Sequence, residues 1–163
     1  VPDKRIKANE ADYALQQQFI GSIDQTVREM HLSVVKMKTV KKQLEEHATL
    51  LKGKTGTEAL LKSGATLLKD IATWEESVAS GKQQTFQDVI NFPNRLNAEL
   101  MNLKSRMDSH DPRVTDGARQ RLSDLMKEWE IQRKSLTEIT EVKMAAYNKQ
   151  YSELKLPALI LPE

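Results

Sequence analysis

The sequence has no cysteine among its 163 residues, which excludes disulfide bonds, thiolate zinc sites and cysteine nucleophiles. This absence does not identify the compartment, because many exported bacterial proteins also lack cysteine. Aromatic residues are scarce too, at 5%, whereas charged residues make up 29%. A composition that is rich in charge and poor in aromatic residues favours an elongated helical protein over a compact sheet protein.

The chain also lacks a long apolar run and a strong net charge. No stretch approaches the roughly 20 apolar residues that span a bilayer, and no signal peptide is visible. The formal net charge is +2, from 25 basic and 23 acidic residues. This balance disfavours a nucleic-acid partner, which usually requires a concentrated basic surface. Because the chain begins with Val1 and not with Met, we expect it to be an excised or processed piece of a longer protein.

Apolar residues with helical spacing dominate the first part of the chain. They follow one another in alternating steps of three and four and so form a seam, the inward stripe of a long packed helix. Asn9 can cap the start with Asp12 in the first turn, and Gly53 stands where a left-handed residue often follows a helix end. A helix is therefore predicted from about Glu10 to Lys52. Its seam comprises Ile20, Ile23, Val27, Met30, Val34, Met37, Lys41, Leu44, Ala48 and Leu51.

A second helix is predicted directly after the first. Thr55 and Glu58 have the spacing of a capping box, in which a hydroxyl and a carboxylate satisfy exposed backbone amides. The helix is expected to stop at residues 80–81, and the polar stretch "KQQTFQDVI" that follows is predicted to be a loop. The second seam comprises Leu60, Gly64, Leu67, Ile71, Trp74 and Val78.

A short third helix and a long fourth helix complete the pattern. Asn91 and Pro93 mark the start of the third helix, because proline is tolerated in a first turn. After the break at "DSHDPRVTD", Thr115 is expected to cap a final helix that ends near Leu154. The seam of the third helix comprises Leu96, Leu100, Leu103 and Met107. The seam of the fourth helix comprises Leu122, Leu125, Trp129, Leu136, Ile139 and Ala146.

These elements predict an all-α fold, an antiparallel helical bundle with long, medium, short and long members. Two arrangements are open. In the first, the helices form three arms, and the middle arm consists of the second and third helices with a break between them. In the second, the four unequal helices form an up-down-up-down bundle. We prefer three arms, because the second and third helices together are long enough to pair with the first and the last. Residues 1–8 are expected to be a linker from an upstream domain, residues 9–155 the bundle, and residues 156–163 an extended apolar tail.

The stretch "ATLLKGKTGT" contains Gly53-Lys54-Thr55 and has the shape of a loosened Walker A motif. A phosphate-binding loop follows a strand and opens a helix, so that backbone amides surround the phosphate. Here the preceding residues continue a heptad helix, with Ala48 and Leu51 on its buried seam, and the first glycine of the motif is missing. We interpret the stretch as a corner between two helices.

Other groups of ionisable residues also favour structural interpretations. Asp108, His110 and Asp111 resemble part of a metal cluster, but they lie in an apparent turn, and a metal needs three or four converging ligands. The acid pairs at 45–46 and 75–76 point about 100° apart on a helix, so neither is a facing catalytic pair. The lysines of "VKMKTVKKQ" are interpreted as an exposed face, and both tryptophans as core residues. We expect no catalytic residue, no metal ligand and no cofactor.

The C-terminal "LPALILPE" is the one candidate interaction surface, through Leu156, Leu159, Ile160 and Leu161. The segment is apolar, it is too short to cross a membrane, and two prolines keep it extended. We expect it to dock in an apolar groove at the end of the bundle. The alternative is an exposed patch that binds a partner.

Four motifs carry a resemblance to a known family. "VPDKR" is similar to a Pro-Asp-x-Arg exit from a β-sandwich, and "INFPNRLNAELMNLKSRM" to an Asn-Tyr-Pro-x-x-Leu-Asn-x-x-Leu signature. "VTDGARQRLSDLMKEWE" is similar to a Pro-Thr-Asp helix opening, and "YNKQYSELKLPAL" to Phe-Asn-x-x-Leu with a proline tail. The chain thus resembles the C-terminal helical region of bacterial sortilin-like, BNR-repeat β-propeller proteins, which are related to glycosyl hydrolases. Lys4 and Val114 stand where that family commonly has proline.

The resemblance implies that ligand binding or catalysis occurs in a propeller outside this chain, so no active-site residue is carried over. It also implies an exported bacterial protein, whether periplasmic, cell-surface or secreted. We therefore predict a non-catalytic accessory or interaction domain, mostly monomeric, that contacts a neighbouring domain or a protein partner. One alternative is part of a glycosyl-hydrolase-like enzyme whose site is in the missing propeller. Another is a cytosolic scaffold bundle like the spectrin repeats.

Overall fold

The computed structural model describes residues 8–81, 93–109 and 111–155. Within these ranges every regular element is a helix, which confirms the predicted all-α bundle. The elements are α1 (Glu10–Leu51), α2 (Glu58–Val78), α3 (Leu96–Met107), α4 (Asp116–Thr137), a π-helical segment (Glu138–Lys143) and α5 (Met144–Glu153).

Three of the predicted helix-end signals are confirmed. The Asn9 side chain accepts a hydrogen bond from the Asp12 amide at 3.0 Å, and the Asp12 carboxylate accepts one from the Asn9 amide at 2.9 Å. Gly53 has φ +80°, the left-handed conformation expected just after α1. The Thr115 hydroxyl accepts from the Ala118 amide at 3.2 Å and caps α4. These bonds satisfy amides that a helix start leaves without partners.

The predicted starts of the second and third helices are wrong by a few residues. Thr57, and not Thr55, is the N-cap of α2, because a second left-handed glycine, Gly56 at φ +85°, lengthens the corner. Arg95 is the N-cap of α3, so Pro93 precedes the helix and does not lie in its first turn. Asn91, the other predicted start signal, lies outside the described residues.

The middle arm consists of α2 followed by α3, and both run antiparallel to α1. Lys41 in the upper part of α1 pairs with Glu75 near the end of α2, with an N···O distance of 2.9 Å. Near the start of α1, the Gln16 side-chain amide donates to the backbone carbonyl of Met107, the last residue of α3, at 2.7 Å. The contacts therefore move towards the start of α1 as the chain proceeds along α2 and α3, which is the pattern of antiparallel helices.

The last arm, α4 with the π segment and α5, runs parallel to α1. The Trp129 indole N–H donates to Glu29 at 3.3 Å, and Tyr147 contacts His47 at the other end, with 3.2 Å between oxygen and nitrogen. The contacts therefore advance in the same direction along both long arms, which is the pattern of parallel helices. This geometry confirms the preferred arrangement of three arms with a broken middle arm.

The π segment displaces the predicted seam of the last arm. The Met144 amide donates to the Ile139 carbonyl, five residues back instead of four, which inserts one residue into the helical repeat. Ala146, predicted on the seam, is exposed, and Tyr147 is buried in its place. The inward positions after Ile139 are Met144, Tyr147, Tyr151 and Leu154.

The seam prediction for α1 is wrong at Ala48, which is exposed. The neighbouring His47 is half-buried, and its ring stacks on Tyr151 with ring centroids 5.0 Å apart. An alanine methyl group projects little beyond the backbone, so the long aromatic side chains of the last arm contact the histidine instead. Most other predicted seam positions belong to the core, which also includes Phe19, Val114 and Ala118 from outside the predicted seams.

Candidate functional site

The loosened Walker A stretch forms a corner between α1 and α2, as the sequence predicts. The Lys54 amide donates to the Leu51 carbonyl at 3.1 Å. The Thr57 hydroxyl lies within 3.1 Å of the same carbonyl and 2.7 Å of the Lys54 carbonyl, and Thr57 is buried. The corner is therefore closed by its own hydrogen bonds and follows a helix, whereas a phosphate-binding loop follows a strand.

The predicted metal-like cluster contains an ion pair within one turn. The Asp111 carboxylate accepts hydrogen bonds from the Arg113 side chain, with Nε at 2.8 Å, and from the Arg113 amide at 3.1 Å. These bonds, the side-chain bond first, lower the pKa of Asp111 to about 2. His110 lies outside the described residues. Within the described ranges, no three histidine or acidic residues are placed so that they could hold a metal ion.

The adjacent acids Glu75 and Glu76 pair with different helices. Glu75 pairs with Lys41 of α1 at 2.9 Å, whereas Glu76 pairs with Arg95 at the start of α3 at 2.8 Å. The two carboxylates therefore contact two different helices, α1 and α3, and do not pair with a common partner. The expected exposed lysine face is confirmed for Lys36, Lys38 and Lys42, whereas Lys41 is half-buried by its contact with Glu75.

Both tryptophans belong to the core, as predicted. Trp74 is 2% exposed and Trp129 is 4% exposed. Each indole N–H has a polar partner: Trp74 donates to the Gln132 carbonyl at 2.9 Å, and Trp129 donates to the Glu29 carboxylate. With their ring faces buried, neither can act as a sugar-stacking platform in this fold.

An aromatic cluster of His47, Tyr147 and Tyr151 joins the two parallel arms. The imidazole lies almost parallel to the Tyr147 ring, at 11°, with centroids 6.2 Å apart, and it stacks on Tyr151 as well. Burial, and to a lesser extent the nearby Tyr151, raises the pKa of Tyr147. The sequence signal for this cluster is the pair of tyrosines four residues apart, which share a helix face.

The aromatic cluster is a packing contact between the two parallel arms. Its close polar contact is the 3.2 Å pair between His47 Nδ1 and Tyr147 Oη. Gly64 of α2 provides room for Tyr147, because an added Cβ would lie 3.2 Å from the ring. Nucleophilic catalysis needs a nucleophile, a base and a third group that orients the base. No carboxylate of the described residues is hydrogen-bonded to this histidine.

A polar cleft of about 450 Å³ lies between α3, α4 and the end of α2. Glu99 and Glu128 line this cleft, which is the feature nearest to the enzyme alternative, because glycosidases place two carboxyl groups across a cleft. However, Glu99 pairs with Arg121 at 2.9 Å. The cleft is thus bridged by an ion pair, and this contact favours a structural role for Glu99.

An apolar groove between α1 and α3 was not anticipated from the sequence. It has a volume of about 510 Å³, and its exposed apolar side chains are Leu32, Val35 and Met101. Arg28 and His31 also line it. The available signal was that Leu32 and Val35 lie off the predicted seam of α1. Clusters of exposed large apolar side chains commonly mark interaction surfaces.

No protein-family model matches the chain, and no curated protein and no solved structure matches it significantly. Among the described helices, none is both long enough and apolar enough to cross a membrane. The predicted interaction residues Leu156, Leu159, Ile160 and Leu161 lie outside the described residues. The function must therefore be argued from the packing and from the exposed surfaces.

Proposed function

We propose that this chain is a non-catalytic helical accessory domain of a larger exported bacterial β-propeller protein. In this proposal it binds a neighbouring domain or a protein partner through the groove between α1 and α3. The observation that carries the proposal is the exposure of Leu32 (57%), Val35 (61%) and Met101 (45%) in one groove. Covering each of these side chains would gain part of the roughly 1.5–3 kcal/mol that full burial of a large apolar side chain contributes.

The distribution of charges supports a binding role over a catalytic one. Three ion pairs join separate arms: Glu75 with Lys41, Lys104 with Asp24, and Lys143 with Asp70. Such pairs fix the arrangement of the helices, whereas a catalytic centre requires titratable groups that converge on one substrate position. If the parent protein is a glycosyl-hydrolase-like enzyme, its catalytic groups would lie in the propeller.

The test measures binding between this chain and the rest of its parent protein, produced as a separate polypeptide. Val35→Glu would place a carboxylate in the groove, and we expect it to weaken association by about tenfold or more. A tenfold loss corresponds to about 1.4 kcal/mol of binding free energy. Ile131→Glu is the matched control, since Ile131 of α4 is exposed to the same degree, 62% against 61% for Val35. Equal effects of the two variants would refute the groove as the binding surface. A parent gene that encodes no propeller would refute the proposed parent.

The three-arm topology also favours a second candidate, a cytosolic scaffold bundle like the spectrin repeats. Two parallel long arms with an antiparallel arm between them could be joined end to end in a rod. The experiment that separates the two candidates is to sequence the encoding gene upstream of this chain. A signal peptide and a propeller support the accessory domain, whereas tandem helical bundles without a signal peptide support the scaffold.

A further inference from the structure

A second apolar groove lies between α2 and the last arm, beside the first turn of α5. It has a volume of about 510 Å³. Its walls are formed mainly by small side chains and one leucine, with two lysines and one aspartate at the rim. The residues are Ala59, Ser63, Thr66, Leu67 and Ala146, with Lys62, Asp70 and Lys143. The short side chains of α2, together with Ala146 of α5, leave a groove in which larger apolar side chains could be inserted.

The backbone at the end of α5 turns the chain away from the helix direction. Lys155 has φ +47°, a left-handed conformation that is uncommon for a residue other than glycine. The amides of Leu154 and Lys155 donate to the carbonyls of Tyr151 and Ser152, at 3.3 and 3.2 Å. A left-handed residue just after the last turn is a common way for a helix to end. The next segment of sequence, residues 156–163, is apolar and carries two prolines.

We propose that residues 156–163 dock in the groove between α2 and α5 and run back along α5 towards Lys143. The reach is sufficient, because the helix from Lys155 back to Lys143 rises by about 18 Å at 1.5 Å per residue. Eight residues in an extended, proline-compatible conformation cover about 25 Å at 3.1 Å per residue. The remaining length allows the turn that follows Lys155.

The chemistry of the segment complements that of the groove. Leu156, Leu159, Ile160 and Leu161 provide large apolar side chains, and the groove provides small ones. The rim carries two lysines and one aspartate, a net charge of +1, whereas the one ionisable side chain of the segment is the acidic Glu163. This inference does not rest on the proposed function, because the groove of that proposal is formed by α1 and α3.

The test is a disulfide trapping experiment in the full chain, which has no native cysteine to interfere. Ala146 lines the groove, whereas the adjacent Ala145 is likewise exposed but does not line it. The pair Ala146→Cys and Ile160→Cys should form an intramolecular disulfide about tenfold faster than Ala145→Cys and Ile160→Cys, because docking raises the local concentration. Equal rates for the two pairs would overturn the proposal, and so would disulfides formed mainly between chains.

A second measurement covers the case in which the cysteine variants fold poorly. A chain that ends at Lys155 is compared with the full chain by hydrogen exchange. Docking predicts faster exchange at residues 59–70 and 143–146 in the shortened chain, together with a lower melting temperature. Adding the peptide LPALILPE to the shortened chain should restore the slow exchange, and Ala146→Arg, but not Ala145→Arg, should prevent this restoration. Unchanged exchange at the groove after the deletion would overturn the proposal.

Discussion

Trp74 and Trp129 show how single side chains stabilise the joint between arms. Each has a buried ring and an indole N–H with a partner on another arm. We predict that Trp74→Ala and Trp129→Ala each lower the free energy of unfolding by about 3–5 kcal/mol, the usual loss for a buried large aromatic. Ile131→Ala, at an exposed position, should stay within about 0.5 kcal/mol. Denaturant unfolding measures all three, and unchanged midpoints for the tryptophan variants would contradict their core role.

Gly64 and Gly21 provide a matched comparison of two helical glycines. An added Cβ at Gly64 would lie 3.2 Å from the Tyr147 ring, whereas nothing lies within 4 Å at Gly21. Alanine stabilises a helix interior by roughly 0.5–1 kcal/mol relative to glycine. We predict that Gly21→Ala gains this amount, and that Gly64→Ala gains less or destabilises, because the tyrosine must move. Thermal melts of the two variants are sufficient, and an equal gain would show that the ring moves at no cost.

The Asp111 carboxyl is a residue-scale test of pH dependence. Its pKa is about 2 in the folded chain, against an ordinary 3.8, because the Arg113 side chain and amide donate to it. A lowered pKa means that the contribution to stability is present above the ordinary pKa and is lost as the pH falls through the folded value. We predict an NMR titration midpoint near 2 for this carboxyl in the folded protein. In Arg113→Ala the midpoint should return towards 3.8, and a wild-type midpoint already at 3.8 would contradict the pairing.

At the scale of elements, the π segment explains why the last arm keeps a continuous apolar face. Ile139 and Met144 are both directed towards the core although they lie five residues apart. Deleting the exposed Val142 should restore ordinary α-helical spacing and keep Met144, Tyr147 and the residues beyond on the same face. We therefore predict a melting temperature that is unchanged or higher.

The control for this deletion is the removal of the exposed Ala72 from α2, which contains no π segment. That deletion rotates Trp74 and Val78 by about 100° away from the core, so the cooperative unfolding transition should be lost or strongly lowered. Thermal unfolding followed by circular dichroism compares the two. If both deletions are equally damaging, the extra residue of the π segment is required for packing.

At the scale of the whole molecule, every described arm has an apolar face that contacts another arm within the same chain. We predict that the isolated chain is helical and mostly monomeric, because its core needs no second copy. Size-exclusion chromatography with light scattering measures the mass, and circular dichroism measures the helix content. A melting temperature that rises with protein concentration would contradict a monomer and would indicate that an exposed groove binds a second chain.

Local signals in the sequence were sufficient to predict the order and the approximate bounds of the helices. Apolar spacing, the Asn9 and Thr115 caps and the left-handed Gly53 all act within a few residues, so they can be recognised without knowledge of the partner arm. The corner at Lys54 could be distinguished from a phosphate-binding loop for the same reason, because a heptad helix precedes it. The start of α2 was misplaced because Thr55 and Thr57 are both capable caps, and the choice depends on the conformation of Gly56.

Only the tertiary structure decided the direction of the arms, the inward residues of α5 and the shape of the surface. The sequence allowed both three arms and four, because apolar seams specify which face is buried but not which helix covers it. Tyr147 replaced Ala146 in the core because packing against Gly64 and His47 favours one extra residue in the helical repeat. Both apolar grooves depend on side chains from helices far apart in the chain, so their existence is a property of the packed molecule and not of any local pattern.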